Sequence, residues 1–171
     1  MILLTVTFVV VVLLDQGTKY LVQDAMPLYT SIPIVGEYIK LTHIRNPGAA
    51  FGISVGSPAL FLVLSMLACG VVAYYFKTLP VSERWGRFSL TLVLGGAVGN
   101  LIDRIRFGEV TDFIEVGIDA YRWPVFNVAD MAVTIGVVFL FIRLYHARPS
   151  ASLEQNTGTS HGTVHREDRP A

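Results

Sequence analysis

The residues of this chain best suited to chemistry are two aspartates, Asp112 in "VTDFIEV" and Asp130 in "FNVAD". Two carboxylates that share a site cannot both ionise easily, so one keeps a proton while the other acts as a base. Such a pair can activate water and protonate a leaving amine, which is the chemistry of an aspartyl peptidase. A simpler interpretation is that Asp112 caps a local turn and that Asp130 favours the dipole of a helix. Spacing alone leaves both interpretations open.

Two further groups of polar residues lie within apolar sequence. Asp15 and Lys19 are four residues apart, so on a helix they share one face and can form an ion pair. In "GGAVGNLIDR", Asn100 and Arg104 also share a helical face, and Arg104 is suited to bind a carbonyl, carboxylate or phosphate group. Ionisable groups inside a membrane are costly unless they are paired or hydrated, so both groups are candidates for substrate binding or for a hydrogen-bonded scaffold.

The remaining motifs offer less chemistry. Asn46 in "RNPGAAF" can serve a turn or a site, and Gly95 and Gly99 form a G-x-x-x-G pair that lets helices approach closely. The segment "GISVG" at 52–56 matches a nucleophile pattern but lacks the strand-to-helix setting that this pattern requires. The four histidines show no H-E-x-x-H pattern and no paired ligand spacing, so no metal site is expected.

The composition indicates the kind of protein that must position these residues. The chain is 53% hydrophobic and 15% charged, with a mean hydropathy of +0.56. An ordinary soluble domain carries about 25% charged residues, so this composition is typical of a membrane protein. The formal net charge of zero disfavours nucleic acid as a partner. The single cysteine, Cys69, excludes a disulfide framework and a cysteine zinc site.

Four apolar stretches reach the length of about 20 residues that is needed to cross a bilayer. They cover residues 2–22, 59–76, 88–105 and 125–145. The chain is therefore predicted to be an all-α membrane protein, with four transmembrane helices within residues 1–146. In the loop at 23–58, "SIPIVGEYIKLTHIRN" alternates β-branched or aromatic residues with polar ones, which predicts a short strand pair. The polar tail at 147–171 is expected to be disordered.

Four spans also determine which loops share a side of the membrane. The loops at 23–58 and 106–124 lie on one side, and both termini and the loop at 77–87 lie on the other. Nearly all of the polar residues described above therefore converge on one membrane face. Basic residues flank both faces equally, so the charge count does not orient the protein.

Five motifs, taken together, resemble those of a known family. They are, in chain order, "DQGTK", "NPGAAFG", "GGAVGNLIDR", "VTDFIEV" and "FNVAD". Each motif is weak alone, but the five in this order resemble the lipoprotein signal peptidases (signal peptidase II) of bacterial inner membranes, over about residues 1–146. The resemblance implies an aspartyl endopeptidase that removes signal peptides from prolipoproteins by cleaving before a diacylglyceryl-modified cysteine.

The resemblance also implies which residues form the site. The catalytic dyad falls on Asp112 and Asp130, and Asp103 takes a structural role, as Gly95 and Gly99 do in helix packing. The supporting or substrate-binding residues fall on Asp15, Lys19, Asn46, Asn100, Arg104 and Asn127. No cofactor is expected.

A location and a set of partners follow from the same resemblance. Both termini are expected in the cytoplasm, with the active site and an extracytoplasmic β-cradle near the periplasmic or outer face of the inner membrane. The expected partners are the diacylglyceryl-modified prolipoprotein, membrane lipids and inhibitors of the globomycin type, which are cyclic peptides. The protein is expected to act as a monomer. A lipidated substrate cannot leave the bilayer cheaply, because each buried CH₂ holds it by about 0.8 kcal/mol, so its scissile bond is presented at the interface.

Two other functions are compatible with four spans. In a proton-coupled transporter, Asp15, Asp103 and Asp130 would form a relay, but the acids cluster at one face and no internal repeat is visible. In a non-enzymatic assembly factor, the glycine pair and the ion pair of Asp15 with Lys19 would hold the helices together. An assembly factor has no use for two carboxylates at one face, and a cleavage assay distinguishes it from a peptidase.

Overall fold

Four long helices carry most of the apolar sequence. They are α1 (Ile2–Ala25), α2 (Pro58–Thr78), α3 (Arg84–Phe107) and α4 (Val128–His146). The computed structural model describes residues 1–48 and 57–146. Each helix is long and apolar enough to cross a membrane, which confirms the prediction of four spans. The predicted boundaries differ by up to four residues, because α3 begins before its apolar stretch, with a polar first turn.

The helix α3 is central, and α1, α2 and α4 all pack against it. No residue of α2 is buried, so this helix contributes its contact with α3 and otherwise presents apolar side chains outward. Large exposed apolar residues also cover α1 and α4, among them Leu13 and Phe141. A helix that is apolar outside as well as inside is suited to lipid, because acyl chains cover the outward face.

Glycines of α3 let its neighbours approach closely. A Cβ added at Gly95 would lie 3.0 Å from Cγ1 of Val11, and one added at Gly99 would overlap the carboxylate of Asp15. The structure thus places both glycines of the predicted pair against α1. Gly96, on the opposite side, contacts the backbone carbonyl of Ala129 in α4, so small residues hold α3 against two helices at the level of the polar motifs.

A four-stranded antiparallel sheet caps one end of the helices. Its strands are, in spatial order, β1 (Ser31–Val35), β2 (Ile39–Asn46), β3 (Val110–Ile118) and β4 (Tyr121–Arg122). The predicted strand pair in the first long loop is confirmed as β1 and β2. No strand was predicted in the loop at 106–124, yet β3 lies there and pairs with the free edge of β2, and β4 follows it. The small sheet is therefore built from both loops on this face, rather than from the first alone.

The register between β2 and β3 brings two motifs together. Asn46 pairs with Val110, and Ile44 pairs with Asp112. Just before β3, α3 ends at Gly108, whose φ of 76° lets its backbone N–H bond to the carbonyl of Arg104 at 3.0 Å. This left-handed cap turns the chain sharply out of α3, so that β3 begins two residues after Gly108.

A small apolar core joins the sheet to the helices. It consists of Val22 and Met26 at the end of α1 and Phe113 in β3, with Leu41, Ile114 and Val128 packed against it. Because Phe113 follows Asp112 directly, this packing fixes the position of β3 and of the backbone that carries Asp112.

Candidate active site

Asp112 is enclosed at the junction of β3 with the helices, where 1% of its side chain is exposed. Its Oδ2 accepts a hydrogen bond from Nδ2 of Asn46 at 2.9 Å, and its Oδ1 accepts one from Nδ2 of Asn127 at 2.7 Å. The interpretation that Asp112 caps a turn was wrong, since it lies within a strand and its carboxylate bonds to side chains. Strand pairing brings Asn46 to it, and the beginning of α4 brings Asn127.

Asp130 lies in the first turn of α4 and forms a capping box with Asn127. The Oδ1 of Asn127 accepts a hydrogen bond from the backbone N–H of Asp130 at 2.9 Å, and Oδ2 of Asp130 accepts one from the backbone N–H of Asn127 at 3.2 Å. This reciprocal pair stabilises a helix end by satisfying two free donors. The same contacts fix the orientation of the Asp130 carboxylate. The hydrogen bonds that stabilise the helix end therefore also position the acid.

Asn100 of α3 connects this end of α4 to the interior. Its Nδ2 donates to Oδ1 of Asp130 at 2.8 Å, and its Oδ1 accepts from Nδ2 of Asn127 at 3.1 Å. The same Oδ1 also accepts from Nζ of Lys19 at 2.9 Å. The amide therefore orients Asp130 from one side while the buried cation orients the amide from the other.

Lys19 is a buried cation at the centre of a larger network, with 1% of its side chain exposed. Its Nζ lies 2.9 Å from Oδ2 of Asp15, which is the ion pair predicted from the four-residue spacing, and 3.2 Å from Oδ2 of Asp103. Both acids are fully buried. A buried charge is tolerated only when it is paired and hydrogen-bonded, and these three groups satisfy one another.

The two buried acids also hold the backbone beside each aspartate of the candidate dyad. Oδ1 of Asp15 accepts a 2.9 Å hydrogen bond from the N–H of Ala129, which precedes Asp130. Oδ2 of Asp103 accepts a 2.9 Å hydrogen bond from the N–H of Thr111, which precedes Asp112. One ion-pair network thus anchors both members of the candidate dyad through the residue next to each.

Gln16 belongs to this network and was not among the predicted site residues. Its Nε2 lies 3.1 Å from Oδ2 of Asp15, 3.0 Å from Oδ1 of Asp103 and 3.1 Å from the carbonyl of Gly99. It therefore joins the two acids directly. Its place between Asp15 and Lys19 in "DQGTK" was the available signal, but a glutamine beside an acid is not by itself informative.

Arg104 lies one turn beyond Asn100 and is half-buried. The charges of Asp130, Asp112 and Asp103 all act on its guanidinium. Among the described residues it has no salt bridge within 4.0 Å and no side-chain hydrogen bond, so its donors can serve a ligand. This arrangement is compatible with the substrate-binding role expected for it.

The surroundings of Asp112 favour its neutral form. Burial raises the pKa of Asp112 from its usual value of 3.8 to about 6, although the hydrogen bond from Asn46 opposes this rise. The nearby charge of Asp130 also raises this pKa, whereas Asn127 and Lys19 lower it. Of the two aspartates, Asp112 is the more enclosed, and Asp130 is half-buried.

A groove of about 370 Å³ lies beside Asp130. Its other lining residues are Trp123, Phe126, Met131, Thr134 and Ile135. Asp130 is therefore the acidic group on a mainly apolar wall, whose residues Met131 and Ile135 lie on the exposed face of α4. Such a wall can hold an acyl chain or an apolar peptide segment next to the carboxylate.

Part of the predicted motifs lies outside the described residues. These parts are the end of "NPGAAFG", the segment "GISVG" and the tail at 147–171.

His43 is buried, and its Nδ1 contacts the carbonyl of Met26 at 2.9 Å. Within residues 1–48 and 57–146, no group of three histidine, cysteine or acidic side chains has the geometry to hold a metal ion.

Comparison with known proteins gives a consistent result. The family model described as signal peptidase (SPase) II matches residues 7–146. The chain is 44% identical over 157 residues to the lipoprotein signal peptidase of Syntrophus aciditrophicus, covering 89% of this chain and 98% of that protein. It is 44% identical over 135 residues to the one from Geobacillus kaustophilus, covering 79% and 88%. A solved bacterial membrane enzyme matches with a TM-score of 0.78 and 30% identity, covering 96% of each chain.

Proposed function

The chain belongs to the signal peptidase II family, and we propose that Asp112 and Asp130 form the catalytic dyad with which it hydrolyses prolipoproteins. The observation that carries this proposal is the position of Asn127, which bonds to the carboxylate of Asp112 and to both the backbone and the carboxylate of Asp130. Two acids held together at the end of a membrane helix suit an aspartyl endopeptidase.

The reaction follows from the different surroundings of the two acids. We assign the proton that the two acids share to Asp112, because its pKa is raised to about 6 and it therefore holds a proton more readily than an ordinary aspartate; this proton polarises the scissile carbonyl. Asp130, half-exposed on the groove, accepts a proton from the attacking water while the water oxygen bonds to the carbonyl carbon. The carbon–nitrogen bond then breaks, and Asp130 passes the proton to the leaving amine. Asn127 and Asn100 keep the carboxylates oriented throughout.

Arg104 and Asn46 are proposed to complete the substrate site. The guanidinium of Arg104, near both aspartates, donates to backbone carbonyls of the bound peptide. Asn46 holds Asp112 through Nδ2, while its Oδ1 accepts from the backbone N–H of Gly48 at 2.9 Å. Asn46 is thereby fixed at the end of β2, beside Asp112.

The substrate is proposed to be a prolipoprotein whose cysteine carries a diacylglyceryl group. The apolar groove beside Asp130 can receive an acyl chain while the scissile bond, just before the modified cysteine, meets the dyad. The acyl chains remain in the bilayer, which keeps the bond at the depth of the helix ends. This placement accounts for acids that lie at the membrane boundary rather than in water.

The orientation and the domain organisation are proposed as well. Both termini would lie in the cytoplasm of a bacterium, with the sheet and the dyad near the periplasmic or outer face of the inner membrane. Residues 1–146 would constitute the peptidase unit, acting as a monomer, and residues 147–171 a cytoplasmic tail. Labelling of a cysteine introduced at Ser31, compared with one introduced at Ser82, with Cys69 replaced in both, tests the orientation in intact cells.

The test of the function is cleavage by the purified protein in lipid nanodiscs. The substrate is a synthetic prolipoprotein peptide with a diacylglyceryl-modified cysteine, and the matched control is the same peptide with an unmodified cysteine. We expect mass spectrometry to show one cut, before the modified cysteine, and inhibition by a globomycin-type cyclic peptide. Equal cleavage of the two peptides, or a cut elsewhere, would contradict the proposed specificity.

A further inference from the structure

Arg87, in the first turn of α3, is a buried cation at the end of the bundle opposite the dyad. Its side chain is 6% exposed, and no carboxylate lies within salt-bridge distance among the described residues. Its Nη1 donates to the carbonyls of Phe76 and Leu79 at 3.1 and 2.8 Å, which caps the end of α2. Its Nε has no partner in the described structure, and Nη2 reaches only the sulfur of Met1, at 4.0 Å.

The capping role engages one nitrogen of the guanidinium, and the negative end of the α2 dipole offsets part of its charge, but no carboxylate pairs with it among the described residues. The ring of Phe76, whose centroid lies 4.2 Å from Cζ, adds a cation–π contact but no negative charge. A buried cation without an anionic partner is expensive, and more so at a membrane boundary than in water. A bound anion would offset that cost.

Arg87 forms part of the wall of a groove of about 610 Å³. Leu3 and Leu4 of α1 and Phe88 of α3 provide apolar walls, and Arg84 provides a second guanidinium. Arg84 is exposed and forms no salt bridge or side-chain hydrogen bond with any described residue. Two cations therefore lie at one groove whose other lining side chains are apolar or aromatic.

Neighbouring residues leave the positive charge of the groove without a carboxylate partner and place its mouth near lipid headgroups. Glu83 is the acidic side chain nearest in sequence, and its Oε2 is taken by Arg143, 2.6 Å from Nη2. Trp85, which is 73% exposed, lines the same groove. Tryptophan is favoured at the level of lipid headgroups, so the mouth of the groove lies where headgroups are expected.

The geometry points to a binding site for one anionic phospholipid. Its phosphate is held by the guanidinium of Arg84 and by Nη2 of Arg87, since guanidinium N–H groups donate strong hydrogen bonds to phosphate oxygens. One acyl chain lies along Leu3, Leu4 and Phe88. A lipid fits better than free phosphate because the groove that holds the two cations is otherwise lined by apolar and aromatic side chains. This site is separate from the candidate dyad and does not depend on the proposed function.

The test is lipid retention measured by native mass spectrometry. The protein is released from nanodiscs containing equal amounts of phosphatidylglycerol and phosphatidylcholine. We expect the wild type to retain one phosphatidylglycerol at least about fivefold over phosphatidylcholine. We expect Arg84→Gln to lower this preference about fivefold, which is about 1 kcal/mol, the usual contribution of a basic residue near an anionic surface. Equal retention of both lipids by the wild type would overturn the proposal.

The matched control is Lys77→Gln, which removes a charge from the same membrane face outside the groove. It should keep the wild-type preference; a loss as large as that of Arg84→Gln would mean general surface charge and would overturn the proposal. Arg84 is exposed and unpaired in the described structure, so its variant should fold even if Arg87→Gln does not. Glycerol 3-phosphate should not displace the lipid, and displacement would show a phosphate site instead.

Discussion

Nδ2 of Asn127 donates a 2.7 Å hydrogen bond to Oδ1 of Asp112, so the residue that caps α4 also contacts the acid on β3. The same asparagine side chain accepts from the backbone N–H of Asp130. A single residue thus sets the relation between two acids that come from a strand and a helix. We propose that Asn127 positions the two acids and does not itself take part in the reaction.

Asn127→Ala should lower both stability and peptidase activity. Loss of an N-cap costs about 1 kcal/mol, and loss of the donor to a buried acid adds to this. Because both acids lose an orienting contact, we expect kcat to fall at least about tenfold, measured with the lipidated peptide. The matched control is Ser57→Ala, which removes the cap of α2, where Ser57 Oγ accepts from Leu60 N–H. That variant should lose stability and keep kcat; equal kcat losses would refute a positioning role for Asn127.

Lys19→Met should be strongly destabilising. It leaves the buried carboxylates of Asp15 and Asp103 without their cation, and breaking a buried pair in this way costs about 3–5 kcal/mol. The free energy of unfolding, measured by denaturant titration in detergent, reports the loss. The control is Lys40→Met, which breaks a surface pair with the mostly exposed Glu37 and should change little. Similar losses for both variants would show that the buried network is not important for stability.

Gly96→Ala should separate α3 from α4 and impair activity. A Cβ at this position would overlap the carbonyl of Ala129, the residue before Asp130, and would lie 2.8 Å from Cγ2 of Val133. The control is Gly70→Ala in α2, where no atom lies within 4 Å of the added Cβ. Since alanine is the better helix former by about 1 kcal/mol, the control should be neutral or stabilising. A Gly96→Ala protein with wild-type kcat would contradict the close packing described above.

The stability of the protein should depend on pH through Asp112. Its pKa is about 6 in the folded protein and near 3.8 in the unfolded chain, so the folded state binds the extra proton between these values. The contribution of this group is fully present below pH 4 and falls by about 3 kcal/mol as the pH rises through 6. The Asp112→Asn variant lacks this titration. The difference in unfolding free energy between the two proteins should therefore change with pH across this window, and a constant difference would contradict the raised pKa.

Much of this architecture could be predicted from the sequence. Four spans follow from apolar length, and the convergence of the polar motifs follows from counting the spans. The pairing of Asp15 with Lys19 follows from helical spacing, because both lie on one continuous helix. The strand pair β1–β2 was visible in its alternating pattern, which short-range geometry determines.

The sheet's third strand and the roles within the network could not be predicted in the same way. Segment β3 is buried along its first four residues instead of alternating, because it lies between β2 and the helices. The role of Gln16 depends on contacts with residues more than 80 positions away, which no local pattern encodes. Likewise, the bonds from Asp15 and Asp103 to the backbone beside the dyad arise from tertiary packing alone.

The dyad itself is tested most directly by the rate of cleavage of a diacylglyceryl-modified peptide by Asp112→Asn and Asp130→Asn in nanodiscs. Asp24→Asn, an exposed change at the end of α1, serves as the control. General acid–base groups contribute about 10²–10⁴ in rate, so each dyad variant should lose at least about a hundredfold in cleavage rate. Both variants should remain folded by circular dichroism, and Asp24→Asn should keep wild-type activity. Cleavage at the wild-type rate by either folded dyad variant would contradict the assignment of that aspartate to catalysis.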